Sequence, residues 1–293
     1  MACVQNQQKN GLNSLVPQKL RPTLYALITE QCNLSCYHCD VKKAAHYSTH
    51  EKFNEQLFIQ RIKQFNGDII LFGGEPTLYL TRMEAAIATG KVTAISTNLL
   101  ILNEELLGLY KDLRIATSWD VERFRYPKQL STWQNNLQLL ANYGLTCSVI
   151  VTLTRPLLQR HVPTIAGFIK RLEQCKAVTN VQFEYLLDAN LPHGYYTNVE
   201  EWLVEMHEAW QEKDIQIENT IVRKPWYYDC DAVFTLYPNG QSKKGCPHQQ
   251  QQYYAPDECY VCDKVTVCKP CQFHQVCSRP NKLFSALESE NAR

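Results

Sequence analysis

Nothing in these 293 residues is long and apolar enough to cross a bilayer. Unbroken hydrophobic stretches, such as Ile69 to Phe72 and Leu99 to Leu102, fall far short of the eighteen or so residues a span needs. An excess of one charge is equally missing: 30 basic residues face 29 acidic ones, and no basic run exceeds two residues, as at Lys42-Lys43, Arg223-Lys224 and Lys243-Lys244. A nucleic acid is therefore not an indicated partner. Residues 1–22 are rich in Gln, Asn and Lys and have no apolar h-region, so they read as a flexible arm and not as a secretory signal. The expected compartment is the cytoplasm. With 45% apolar and 20% charged residues the chain has the composition of an ordinary globular protein and can bury about three quarters of its unfolded surface.

Cysteine is present in quantity and unevenly. Of 13 cysteines, three lie between Cys32 and Cys39 and seven between Cys230 and Cys277. In a reducing compartment clustered thiols are more often metal ligands than disulfides. Cys3, Cys147 and Cys175 fit no ligand spacing and read as free thiols or core residues.

Short β-branched runs recur at about 23–29, 68–72, 92–96, 113–118, 146–153 and 179–185. Between them, 51–65, 79–89, 103–111, 127–143 and 160–174 carry helical apolar spacing, with Leu137, Leu140 and Ala141 on one face. Strands alternating with helices predict parallel βαβ units, and six units predict an α/β fold of the open, partial (β/α)6 barrel kind. Ligands are expected at the C-terminal ends of its strands. The organisation that follows is an arm over 1–22, the barrel over 23–186, a bridging segment over 187–229 and a cysteine-rich segment over 230–293. In the bridge, 188–198 reads as loop, 199–213 as an amphipathic helix and 215–229 as a returning strand. From Cys230 onward apolar periodicity is scarce, so order there is expected to depend on bound metal.

The first strand runs straight into Cys32-Asn-Leu-Ser-Cys36-Tyr-His-Cys39. Three thiolates on one loop can hold three corners of a cubane iron–sulfur cluster and leave the fourth iron open. Zinc prefers four closed ligands and would need His38, His46 or His50 to join. After the second strand comes Gly73-Gly74-Glu75-Pro76, where two glycines permit close backbone approach and Glu75 offers a carboxylate to an ammonium group. Taken alone it is also a strand-to-helix turn with Pro76 near a helix N-terminus.

Together the Cys-x3-Cys-x2-Cys loop and the Gly-Gly-Glu-Pro turn, one βα unit apart, resemble the radical S-adenosylmethionine (SAM) superfamily over about residues 22–186. The resemblance implies that Cys32, Cys36 and Cys39 ligate a [4Fe-4S] cluster whose open iron chelates SAM, and that Gly73, Gly74 and Glu75 receive the methionine ammonium. His38 stands where an aromatic residue usually packs near adenine. Ser96-Thr97-Asn98 is similar to the family's Thr-Asn and makes Asn98 a SAM-pocket residue, with Leu99 in place of the usual Gly. Ser118 and Asp120 stand where the family carries a Ser and an Asp near ribose or substrate; Asp120 as a turn cap is the alternative. Thr152, Thr154 and Arg155 close the fifth strand within reach of SAM. Glu184, in the sixth strand, joins Asp120 as a catalytic candidate.

The C-terminal cysteines look like the SPASM extension of that superfamily, which carries two auxiliary [4Fe-4S] clusters. By that resemblance Cys259, Cys262, Cys268 and Cys277 hold one cluster. Cys230, Cys246 and Cys271 hold a second, completed by a group such as Asp231 or His248. Two spacings depart from the pattern, five residues between Gly240 and Cys246 and two between Cys268 and Cys271, so one or two auxiliary clusters are implied; structural zinc is the alternative.

The implied activity is reductive cleavage of SAM to a 5′-deoxyadenosyl radical and oxidative modification of a peptide or protein side chain. It would be served by a one-electron donor such as a flavodoxin or ferredoxin and a precursor peptide as partner. Oxidation or rearrangement of a small molecule (a sugar, an amino acid or a cofactor precursor) is the alternative within the class, and a zinc-stapled binding module is the alternative outside it. The short arm before the first strand speaks against a built-in peptide-recognition domain.

Overall fold

The computed structural model describes residues 22–36, 39, 53–119, 127–159, 162–185, 202, 205, 216–218 and 233–244. Its strands are β1 (Thr23–Thr29), β2 (Asp68–Gly73), β3 (Ala94–Thr97), β4 (Arg114–Trp119), β5 (Cys147–Leu153), β6 (Val178–Tyr185), β7 (Gln216–Glu218), β8 (Val233–Leu236) and β9 (Ser242–Lys244). The helices are α1 (Glu55–Gln64), α2 (Leu80–Ile87), α3 (Glu104–Leu109), α4 (Pro127–Asn142), α5 (Arg155–Leu158) and α6 (Val162–Glu173), and a 3-10 turn over Pro76–Tyr79 leads into α2. All nine strands form one sheet in the order β7-β6-β5-β4-β3-β2-β1-β8-β9, parallel except for the β8–β9 pair. The ends do not pair with each other, so this is an α/β fold with an open barrel, as the alternating pattern predicts.

Local sequence accounts for the elements. Asn54 caps α1 by accepting the Leu57 N–H at 3.1 Å, and Phe58 and Ile62, four residues apart, are its fully buried face. Burying side chains of this size is worth about 1.5–3 kcal/mol each. Asn103 caps α3 in the same way, with Glu104 and Glu105 in the first turn complementing the helix dipole. On α4 the buried residues are Trp133, Leu137 and Leu140, with Ala141 half-buried beside them.

The two faces of the sheet differ. In β4, Ile115, Thr117 and Trp119 are buried under helices: Trp133 of α4 donates its indole N–H to Thr117 Oγ1 at 3.0 Å, and Trp119 stacks on Phe168 of α6 at 4.1 Å. The intervening Ala116 and Ser118 are half-buried, as are Ser148, Ile150 and Thr152 of β5, which alternate with buried Val149, Val151 and Leu153. With a side-chain period of two, these form a partly polar inner face toward the opening of the barrel.

One element departs from expectation. The stretch after Cys230 reads as poor in core residues, yet Val233–Leu236 pairs in parallel with β1, Leu24 beside Phe234 and Ala26 beside Leu236. Leu236 is fully buried, the Asn54 N–H at the start of α1 donates to the Pro238 carbonyl at 2.9 Å, and Gly240 sits against Leu57 so closely that a Cβ would approach its side chain to 2.5 Å. These contacts tie the hairpin to the core. No helix among the described residues is long and apolar enough to cross a membrane.

Candidate functional site

The C-terminal ends of β1, β2 and β3 meet in a single hydrogen-bonded cluster. Gly74 N–H donates to the Thr29 carbonyl and Glu75 N–H to the Gln31 carbonyl, both at 2.8 Å, so the turn after β2 is laid directly on the chain leading from β1 to Cys32. That contact is why both residues before Glu75 are glycine. A Cβ on Gly73, whose φ is +154°, would lie 2.3 Å from the Thr29 carbonyl oxygen, and one on Gly74 would lie 2.1 Å from that of Gln31. The Gly74 and Glu75 amides are thus bonded to the chain just before Cys32.

Glu75 is fully buried and its carboxylate accepts four protein hydrogen bonds. Oε1 accepts from Thr77 N–H at 3.1 Å and from the hydroxyls of Thr77 and Thr97, each at 2.7 Å; Oε2 accepts from Asn98 N–H at 2.7 Å. A buried carboxylate needs such compensation, and bonds to a charged acceptor contribute about 1.5–3 kcal/mol each. The side chain thus caps the 3-10 turn and ties β2 to the end of β3. Tyr110, fully buried nearby, has its phenol pushed up by burial and further by the Glu75 carboxylate, with the Thr97 hydroxyl opposing, so it stays protonated.

Asn98 carries the cluster on to the cysteines. Its Oδ1 accepts from Leu100 N–H at 3.0 Å, which turns the amide nitrogen outward, and Nδ2 donates to Asn33 Oδ1 at 2.7 Å and toward Cys32 Sγ at 3.8 Å. Cys32 Sγ also accepts from Leu34 N–H at 3.3 Å. Leu99 follows in a left-handed conformation, φ +56°, with its side chain fully buried. It occupies the position at which the sequence departs from the expected glycine. The conformation costs about 1–2 kcal/mol for an L-residue, which burial of the leucine offsets.

Cys32, Cys36 and Cys39 are half-buried and outside any disulfide, and Cys39 N–H donates to the Cys36 carbonyl at 3.3 Å. Burial pushes the Cys32 thiol up; the Leu34 N–H opposes this, and the charges of Glu75, Cys36 and Cys39 add to it, which puts all three thiols in one electrostatic neighbourhood. Among the described residues no three His, Cys, Asp or Glu side chains converge on a point that would hold a single ion. A lone zinc needs thiolates meeting at about 2.3 Å from one centre, whereas a cubane cluster takes one thiolate per iron. Three thiols on one loop are the donor set a cubane cluster would use, and bound iron would hold a coordinating thiol deprotonated.

On the other side of the opening, Ser118 and Thr152 lie on the half-buried inner face near the ends of β4 and β5. Thr154 caps α5 by accepting the Leu157 N–H at 3.4 Å, and Arg155, the first residue of that helix, is exposed. Glu184 is registered opposite Thr152, and its side chain lies outside the described residues, as do His38 and Asp120. Cys230, Cys246, Cys259, Cys262, Cys268, Cys271 and Cys277 also lie outside them. Cys147 is a core residue whose thiol is pushed up to about 12 by burial and by Cys175. Sequence reasoning missed Asn33 and Thr77. The signals were there: an amide adjoining the first cysteine, and a hydroxyl two residues past Glu75, the spacing of a local cap.

No protein-family model matches the chain, and no curated protein matches its sequence. Its fold does have solved counterparts. SuiB from Streptococcus suis bound to precursor peptide SuiA aligns with a TM-score of 0.58 at 13% identity, over 92% of this chain and 67% of that one. SuiB bound to S-adenosylmethionine aligns with a TM-score of 0.57 at 14% identity, over 92% and 68%. Native anSMEcpe with bound AdoMet and Cp18Cys peptide aligns with a TM-score of 0.61 at 16% identity, over 87% and 88%. At these identities what the chain shares with them is the fold, a fold that in each of these counterparts holds S-adenosylmethionine, a peptide or both.

Proposed function

We propose that this chain is a radical SAM enzyme that oxidatively modifies a side chain of a peptide or protein. The observation that carries the reading is the docking of Thr29–Gln31, the chain that leads into the Cys32–Cys39 loop, onto Gly73-Gly74-Glu75 at the strand ends, within a fold shared with proteins solved holding SAM and a peptide. The cysteine set would hold a [4Fe-4S] cluster, which supplies the electron that cleaves SAM to a 5′-deoxyadenosyl radical for hydrogen abstraction.

The chain's own residues bind, orient and shield. Ser118 and Thr152 supply hydroxyls on the inner face for the ribose and carboxylate of SAM, and Arg155 offers a cation to that carboxylate. His38 would pack near adenine. Tyr25 and Phe72, half-buried and in edge-to-face contact at 5.6 Å, contribute apolar surface that excludes water from a reactive radical. Asp120 and Glu184 are the carboxylates assigned to substrate. The C-terminal cysteines would carry one or two auxiliary clusters that accept the substrate electron, and a flavodoxin- or ferredoxin-type donor would supply the first one.

Anaerobic purification with iron and acid-labile sulfide analysis, followed by assay of 5′-deoxyadenosine formation under a strong reductant, tests the reading. Iron with matching sulfide and SAM cleavage are expected. Zinc without acid-labile sulfide overturns it in favour of a zinc-stapled module.

A further inference from the structure

We infer that Asn98 is a positioning residue for Cys32, its carboxamide directing an N–H at the cysteine sulfur and thereby setting the reduction potential of the cluster that sulfur would bear. The inference rests on the proposed function and concerns a contact the resemblance does not supply, since there Asn98 belongs to the SAM pocket. Three observations fix its aim. The Asn98 backbone N–H is held by Glu75 Oε2 at 2.7 Å. The side-chain oxygen is occupied by Leu100 N–H at 3.0 Å, so the amide nitrogen, not the oxygen, faces the cysteine loop. Of that nitrogen's two hydrogens one goes to Asn33 Oδ1 at 2.7 Å, which leaves the other for Cys32 Sγ at 3.8 Å. Asn98 is 5% exposed, so water does not replace this donor.

The turn that follows keeps the side chain in place. Leu99 is held at φ +56° by its buried side chain and by Asn136, whose Nδ2 donates to the Leu99 carbonyl at 2.9 Å. A left-handed residue persists only where its surroundings over-determine it. With Leu34 N–H at 3.3 Å on the same sulfur, Cys32 receives two N–H donors. Donors to a cluster sulfur stabilise the more negatively charged, reduced state and raise its potential. Removing one makes the cluster harder to reduce.

The test is the SAM-free midpoint potential of the reconstituted full-length protein, read from the electron paramagnetic resonance signal that changes on SAM addition. Asn98→Leu keeps the shape and removes the donor. The expected result is full iron content with a reduced-to-oxidised ratio lowered about threefold to tenfold at fixed poise, tenfold corresponding to about 59 mV for one electron. Asn33→Ala, which frees the Nδ2 from its anchor while leaving the backbone of β3 intact, should shift the potential the same way by less, and it carries the test if Asn98→Leu fails to load iron. An unchanged SAM-free potential in an iron-replete variant, with only SAM affinity altered, overturns the inference and returns Asn98 to the SAM pocket, leaving the proposed function standing. A wild-type protein with no SAM-responsive cluster overturns the proposed function and, with it, this inference.

Discussion

The two halves of the strand-end rim are built differently. At β2 and β3 the polar residues are interior: Glu75, Thr77, Thr97 and Asn98 are all less than a tenth exposed and bonded to one another at 2.7–3.1 Å. At β4 and β5, Ser118 and Thr152 stand half-buried on the inner face, and Arg155 is exposed. One half is bonded together inside the protein beside the chain that leads to the cysteines; the other is more open at the strand ends. Residue type does not separate the two, since each combines threonine with a second small polar residue and a charged side chain. Burial does.

The comparison can be broken most severely at the loop that the first half supports. Replacing Cys32, Cys36 and Cys39 together by Ala should abolish 5′-deoxyadenosine formation while the thermal midpoint stays close to wild type, because the three side chains are only half-buried; retained SAM cleavage would refute their assignment. Next in size is Gly74→Ala. A Cβ 2.1 Å from the Gln31 carbonyl must push the loop off the β2 turn, with a stability loss of about 2–4 kcal/mol in urea unfolding and poor iron loading. Wild-type behaviour would mean that the loop does not depend on this contact.

Glu75→Gln sharpens the contrast. Both threonine hydroxyls and Thr77 N–H converge on Oε1, so the amide nitrogen falls at Oε2 and meets the Asn98 N–H donor to donor. A loss of about 1–3 kcal/mol in folding stability is expected, accompanied by weaker SAM binding. Full stability with SAM affinity reduced about tenfold would make Glu75 a ligand to the SAM ammonium and erase the distinction between the halves. The smallest effects belong to Ser118→Ala and Thr152→Ala, each expected to leave stability within about 0.5 kcal/mol and to weaken SAM binding severalfold in equilibrium titration. A stability loss as large as that of Glu75→Gln would place these residues with the structural half.

Much of this was legible in the residues. Strands β1 to β6 appear as β-branched runs because a parallel strand covered by helices needs them, and the cysteine loop and Gly-Gly-Glu-Pro appear because their function is in their spacing. What joins them is not local. Thr97 and Glu75 lie 22 residues apart and meet only because β2 pairs with β3 in this register. Leu99 is instructive in another way. Its departure from glycine is visible in sequence, but the left-handed backbone is kept and stabilised by a buried side chain instead of by conformational freedom. Val233–Leu236 stays hidden because four residues without alternation give no period to detect, and its partner strand is at the other end of the chain.

That last pairing has a consequence in time. Strand β1 is flanked by β2 on one side and by β8 on the other, and Val233, the partner of Thr23, is translated more than 200 residues later. At the usual pace of synthesis the gap is roughly 10–40 s. During it one edge of the strand that delivers Cys32 to the site has no neighbour and exposes unpaired N–H and carbonyl groups, the condition under which strands recruit wrong partners. The nascent chain is therefore at its most aggregation-prone after the barrel's own units have been made and before the hairpin arrives, and recovery of soluble protein should depend on residues 233–244 more strongly than their small share of the core suggests.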